Sequence, residues 1–189
     1  MDEFAAIVLA GGGARRLGGV DKLALAVDGA SLLQRTLSAV EAADPKVVVG
    51  PRRPGVTGVR WTREQPAGQG PLAGLDAGLA LIGDAPEFVA VLAADHPYLR
   101  GETVARLLGV AAANPSLPGA VLVDAGGNPQ WLVGVWRVAQ LRAAMPAESG
   151  NGSLRRVLEP LDPHRIPASG AETSDVDTPE DWRRLGASE

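Results

Sequence analysis

Apolar residues along this chain follow two rhythms, and the rhythms alternate. Phe4 to Ala10 is a continuous apolar run, and Lys46 to Val49 is a shorter stretch, apolar after its lysine. Runs of this length suit strands buried on both faces. Between them, Ser31 to Ala43 places Leu32, Leu33, Leu37 and Val40 on one side of a helix, with Ser31 as its N-cap. Gly58 to Thr62 predicts a short strand. Pro71 to Ile82 predicts a helix that opens on proline, whose missing N–H costs nothing in the first turn. Phe88 to Ala94 is an unbroken apolar run that stops at Asp95, and Glu102 to Ala113 returns to the helical period. Ala120 to Asp124 and Gln130 to Val135 predict two strands around the turn Ala125-Gly126-Gly127-Asn128-Pro129. Arg137 to Met145, Ser153 to Leu161 and Pro179 to Leu185 predict helices, the last capped by Thr178.

Such alternation predicts the α/β class: a mainly parallel sheet with helices on both faces. The chain shows no internal repeat. Pro51 to Pro54, Ala67 to Gly70 and Ser149 to Gly152 are loops rather than linkers. Residues 1–189 are therefore read as one domain, long enough to bury a sizeable core.

The first strand runs into Gly11-Gly12-Gly13-Ala14-Arg15-Arg16-Leu17-Gly18-Gly19-Val20-Asp21-Lys22. Successive glycines let backbone N–H groups wrap an anion without Cβ interference. Arg16 and Lys22 add full positive charges, as a reacting triphosphate requires. The turn lacks the third glycine of a dinucleotide fingerprint and the G-K-[ST] of a Walker A loop. Its place at the end of the first strand is where open α/β sheets bind ligands. As a loop lysine, Lys22 is expected to add little to the core.

Five other stretches carry candidate chemistry. Phe88 to Ala94 delivers Asp95 to the sheet's carboxyl edge, where it can hold Mg²⁺ or cap the turn that Pro97 forces. His96, beside that proline, suits a structural role. Gly68-Gln69-Gly70-Pro71-Leu72-Ala73-Gly74 enters a helix on small residues, so backbone can lie against a flat base or ribose; an ordinary proline-started helix has the same pattern. Glu64, just upstream, can accept hydrogen bonds from either. Asp175 and Asp177 alternate and can share one side of an extended segment, as metal contacts or, for Asp177, as a helix cap. Asn128 to Trp131 and Asn151 to Arg156 are weaker candidates for a second, anionic substrate, and a solvated basic face explains Arg155 and Arg156 equally well.

Composition narrows the classes. Lys plus Arg number 18 against 22 Asp plus Glu, a net charge of −4, which argues against nucleic acid as the main partner. There is no cysteine, so disulfides, thiolate catalysis and Cys-bound metals are excluded. His96 and His164 are too far apart in sequence for a histidine metal site, and a hard cation on oxygen ligands is expected instead. Met1-Asp2-Glu3 is acidic, the apolar run after it is short, and no stretch approaches a membrane span. The expectation is a cytoplasmic protein that does not bind membranes.

In order, these pieces resemble the molybdenum cofactor guanylyltransferase family, the MobA-like nucleotidyltransferases. Leu9 to Lys22 is similar to that family's L-A-G-G-x-x-x-R-M-G-x-x-D-K, with Leu17 for Met. Gly70-Pro71-Leu72-Ala73-Gly74 matches G-P-L-A-G; Ala94-Asp95-His96-Pro97-Tyr98 resembles C-D-x-P-[FY]; Asp175-Val176-Asp177-Thr178-Pro179 resembles N-[IV]-N-T-P with both Asn replaced by Asp. The resemblance implies a Rossmann-like nucleotidyltransferase fold and transfer of GMP from GTP to molybdopterin, with release of pyrophosphate. It implies Arg16, Lys22 and Asp95 as catalytic. It implies nucleotide contacts from Leu9, Ala10, Gly11, Gly12, Gly13, Lys22, Glu64, Gly70, Pro71, Leu72, Gly74 and Asp95. Mg²⁺, or Mn²⁺ in its place, would be held by Asp95 with Asp177 or Asp175. Proteins that deliver or receive the cofactor are further expected partners. A CTP-using relative, a different phosphorylated acceptor, and a nucleotide-binding regulator without turnover stand as alternatives.

Overall fold

The computed structural model of the chain describes residues 3–11, 21–24, 26–27, 29–176 and 180–181. Its strands, in chain order, are β1 (Phe4–Leu9), β2 (Ala26–Val27), β3 (Ala30–Ser31), β4 (Lys46–Val49), β5 (Arg60–Thr62), β6 (Phe88–Ala93), β7 (Gly119–Val123), β8 (Pro129–Arg137) and β9 (His164–Pro167). Its α-helices are α1 (Leu32–Ala39), α2 (Pro71–Ile82), α3 (Gly101–Ala113), α4 (Val138–Ala144) and α5 (Leu154–Leu158). β2 and β3 form a small hairpin, and the other strands make a seven-stranded sheet in the order β5-β4-β1-β6-β8-β7-β9. Among these, only β8 runs antiparallel to its neighbours. The tight turn after β7 folds β8 back beside it, and β8 is then inserted between β7 and β6.

Alternate residues of the central strands feed two cores. Ala6 and Val8 of β1 face one core, built with Leu32 and Leu33 of α1 and Val104 and Leu107 of α3. Ala5 and Ile7 face the other, built with Leu75 and Leu79 of α2, Leu141 of α4 and Leu158 of α5. Helices thus cover both faces, as the pattern predicts. α2 lies very close to β1: a Cβ on Gly78 would stand 2.6 Å from Ile7 Cγ2, and one on Gly74 would stand 3.4 Å from Leu9 Cδ2. The chain leaves β1 toward β4 on one side and leaves β6 toward β7 on the other. The carboxyl ends of β1 and β6 therefore flank a topological switch point, where ligand crevices form.

Several boundaries differ from expectation. α1 stops at Ala39 rather than Ala43, because the chain must turn back to β4: Asp44 N donates to Phe4 O (2.9 Å) and Ala6 N to Pro45 O (2.9 Å). The helix expected from Ser153 to Leu161 is α5 followed by a 3₁₀ turn over Glu159–Leu161, where Pro160 has no N–H to continue an α-helix. β8 extends to Arg137, past the expected Val135. β9 and the β2–β3 hairpin carried no signal in the sequence. β9 is an edge strand whose residues are mostly exposed, with Ile166 its main apolar contact, so no alternation reveals it. Of the helix expected over Pro179 to Leu185, residues 180–181 are helical and the rest lies outside the described residues.

Candidate active site

Hydrogen bonds lace the ends of four strands, β5, β4, β1 and β6, level. Ala10 N donates to Val49 O (2.8 Å), Ala94 N to Leu9 O (3.0 Å) and Gly50 N to Thr62 O (2.8 Å). Above them opens a cavity of about 270 Å³, bordered by Leu9, Gly11, Lys22, Glu64, Gly70, Pro71, Gly74 and Asp95. Residues from three distant stretches of the sequence thus share one crevice. Leu23, Val49, Gly68, Ala93, Ala94 and Leu132 complete its wall, and sequence reasoning had not singled them out as site residues, although Gly68 and Ala94 lie inside the quoted motifs.

Lys22 stands in a short 3₁₀ turn, Lys22–Ala24, opened by Asp21. Asp21 Oδ1 accepts from Leu23 N (3.2 Å) and Asp21 O from Ala24 N (3.0 Å). The Lys22 ammonium donates to Asp95 Oδ2 (2.9 Å) and to Val176 O (2.8 Å). This lysine is only 6 % exposed, which corrects the expectation that it is incidental to the core. Its charge is partly withdrawn from water and held against a carboxylate at the crevice floor; such a pair is costly to break from one side.

The backbone of Asp95 also meets the segment that ends at Val176. Val176 N donates to Asp95 O (3.1 Å), His96 Nδ1 lies 3.3 Å from Ser174 O, and the Val176 side chain is buried in the first core. His96 is buried in this contact, in keeping with a structural role. Glu172 anchors the segment that leads to Val176. It accepts from Thr103 Oγ1 (2.5 Å), Arg106 Nη2 (2.7 Å) and Ser169 N (2.6 Å). Burial pushes the Glu172 carboxyl up, and the hydrogen bonds from Thr103, Arg106 and Ser169 outweigh it, leaving the group below its ordinary value.

Glu64 Oε1 accepts from Gly68 N (2.8 Å) and so shapes the loop that leads to Gly70 and α2. Leu72 differs from expectation: its side chain is buried in the second core and does not border the crevice. Ala10 is also buried, with only its backbone at the strand end. The turn after β7 closes on itself, because Asp124 accepts from Gly126 N, Asn128 N, Asn128 Nδ2 and Gln130 Nε2. The backbone bond from Asn128 is the main reason the Asp124 carboxyl sits below its usual value. Arg155 pairs with Glu159 on the exposed side of α5 (2.9 Å). Gly12, Gly13, Arg16 and Asp177 lie outside the described residues.

Among the described residues, no three or more His, Asp or Glu side chains gather into a metal cluster. Asp95 borders the crevice with one oxygen engaged by Lys22, and Asp175 is exposed beside Val176. A half-buried carboxylate at a phosphate-sized crevice fits a hard divalent cation that takes its other ligands from phosphate and water. Arg53 is the charged residue that sequence reasoning missed. It comes from a loop that reads as a plain connector and reaches Asp21.

Crevice, strand order and paired lysine and aspartate define a class, a nucleotidyltransferase of Rossmann-like fold. The model of the MobA-like NTP transferase domain matches residues 6–166, and the chain belongs to that family. It is 31 % identical over 173 residues to the molybdenum cofactor guanylyltransferase of Acidiphilium cryptum, covering 88 % of this chain and 79 % of that one. Its fold is shared with Rv0371c of Mycobacterium tuberculosis H37Rv, at a TM-score of 0.79 and 21 % identity over 99 % of both chains. It is likewise shared with the molybdopterin-guanine dinucleotide biosynthesis protein A of Archaeoglobus fulgidus, at 0.72 and 19 % over 97 % of both. Among the described residues, no helix is long and apolar enough to cross a membrane.

Proposed function

We propose that this chain transfers GMP from GTP to the terminal phosphate of molybdopterin, forming molybdopterin guanine dinucleotide and releasing pyrophosphate. The observation that carries the reading is the Lys22–Asp95 pair, 2.9 Å apart in the crevice where β1 and β6 end. The relative from Acidiphilium cryptum supports the acceptor. In the reaction an anionic oxygen of the acceptor phosphate attacks the α-phosphorus of GTP, and the bond from that phosphorus to the bridging oxygen breaks. The electron pair leaves with pyrophosphate. The nucleophile is already an anion, so the step needs no general base. Lys22 neutralises charge gathering on the leaving group, together with Arg16. Asp95 would hold Mg²⁺, with Asp177 or Asp175 as the second ligand. That cation, or Mn²⁺ in its place, supplies charge stabilisation on the phosphates.

The base would lie along Glu64, Gly70, Pro71 and Gly74, which border the crevice. One Glu64 oxygen is engaged by Gly68, and the carboxylate's other oxygen suits the N1–H and N2–H₂ donors of guanine. Adenine lacks that pair of donors. The expected result is calorimetric affinity for GTP above CTP and ATP, with pyrophosphate released from GTP and molybdopterin and suppressed by a chelator. Tighter binding of CTP would move the chain to a cytidylyl reaction. GTP binding without pyrophosphate release at any Mg²⁺ or Mn²⁺ concentration would remove the catalytic roles.

A further inference from the structure

Arg53 is nearly buried, its side chain 8 % exposed, although it sits in the connector Pro51 to Pro54 between two surface prolines. Its guanidinium donates Nε to Asp21 Oδ2 (2.7 Å) and Nη2 to Asp21 Oδ1 (3.0 Å). This is a two-bond fork on one carboxylate, a geometry that lysine cannot reproduce. The third nitrogen, Nη1, donates to Ala10 O (3.1 Å) and Pro51 O (3.3 Å). Ala10 is the first residue after β1, and Asp21 opens the turn that presents Lys22. One planar group therefore fixes the strand end and the lysine turn at a set separation. The backbone agrees with this design. Gly50, at φ +150°, lies against Ala10 so closely that a Cβ there would stand 2.6 Å from the same Ala10 oxygen. The exit of β4 thus brings Arg53 onto the end of β1 without a side chain between them.

We propose that Arg53 is a positioning residue for triphosphate binding, a clasp that sets the Lys22 turn against the end of β1. It acts through Asp21 and Ala10 rather than by touching the nucleotide. The proposal rests on the nucleotidyltransfer reading for its ligand class, and not on the choice of guanine. Asp21 is the more exposed partner, with its side chain 39 % exposed, so losing the fork leaves a carboxylate that can turn to water. What is lost is chiefly placement of the turn, and the effect should appear in ligand binding and turnover more than in folding.

The test uses the full chain with Mg²⁺, inorganic tripolyphosphate as the calorimetric probe, and GTP with molybdopterin for turnover. Arg53→Met should weaken tripolyphosphate binding about ten-fold or more and lower kcat per folded molecule. Arg53→Lys keeps the charge but not the fork, and should stay weak. Asp21→Asn should weaken binding, and the double variant Asp21→Asn, Arg53→Met should be no weaker than Arg53→Met alone. Restored affinity in Arg53→Lys would mean that any cation near the phosphates suffices, and would overturn the clasp. Losses that multiply in the double variant would overturn it too, because Arg53 would then act apart from Asp21. So would unchanged affinity and kcat per folded molecule alongside a lowered melting temperature, since that marks a merely structural arginine. A wild type that binds no tripolyphosphate likewise overturns it. If Arg53→Met does not fold, Arg53→Lys and Asp21→Asn decide the question: wild-type affinity in both overturns the clasp, and weakened binding in both supports it. Base preference and pyrophosphate release in the wild type judge the guanylyl reading separately.

Discussion

Two arginines hold the two ends of the sheet, and they differ in what they hold. At the carboxyl end, Arg53 grips Asp21 and the Ala10 carbonyl beside the crevice. At the other end, Arg137 lies over the Phe88 ring, 4.7 Å from its centre, and donates to Leu117 O (3.0 Å) and Ala111 O (3.1 Å). It also pairs with Glu87, which is largely exposed. Both are arginines spent on backbone carbonyls and one acid. Arg137 ties the end of α3 and the start of β7 to the end of β8, all regular structure far from the crevice. Arg53 ties the turn that carries Lys22. The same chemistry is thus a fold staple at one end and an aligning device at the other, and the difference lies in what the anchored backbone bears.

The contrast can be pressed experimentally. The largest effect is expected at the carboxyl end. Lys22→Met should lower pyrophosphate release by ~10²–10³, the usual cost of one charge-stabilising donor. It should also lower the melting temperature, because Asp95 and the Val176 carbonyl lose their shared donor. Wild-type turnover in Lys22→Met would remove the lysine from the reaction. Arg137→Met should act in the opposite sense, costing stability on the order of 1–3 kcal/mol in denaturant melts through the carbonyls it leaves unpaired. Its affinity for triphosphate per folded molecule should stay at the wild-type level. A ten-fold loss of affinity in Arg137→Met would end the division between the two ends.

The smallest effect is expected from Glu172, which anchors the segment that reaches the crevice from outside it. Its carboxyl is held below its ordinary value in the folded chain. The stability it contributes is therefore present above the unfolded value of 4.5 and is lost as pH falls through the lower folded one. Glu172→Gln should lower the melting temperature modestly at neutral pH, where the carboxylate's contribution is present, and converge with the wild type in acid, flattening that part of the pH dependence. An acid limb identical to the wild type's would show that the Thr103 and Arg106 contacts do not stabilise the segment.

Much of this arrangement was legible in the sequence, and the rest was hidden for physical reasons. α2 could be bounded from Pro71 to Ile82, because a proline marks its first turn and the apolar period runs to Ile82. β6 was clear because seven residues from Phe88 to Ala94 carry no polar side chain. The crevice edge followed from Asp95 and the glycine turn, because strand ends and glycines are local signals. Arg53 was not legible: its acid lies 32 positions away, and an arginine between prolines looks solvated. The depth of Lys22 was equally hidden, because nothing near it in sequence announces Val176. Leu72 sat in a binding-type stretch, yet the helical period turned its side chain to the core.

The Lys22–Val176 contact spans 154 positions. Most strand pairs in this sheet join nearer neighbours, so the β-α units can form while that contact is still open. Closing a loop of that length costs more conformational entropy than pairing nearer segments. The burial of the ammonium at the crevice floor therefore depends on parts of the chain that lie almost its full length apart. A partly folded chain can own a formed sheet and still lack a buried lysine. The charge of Lys22 is withheld from solvent only where these two distant parts of the chain have come together.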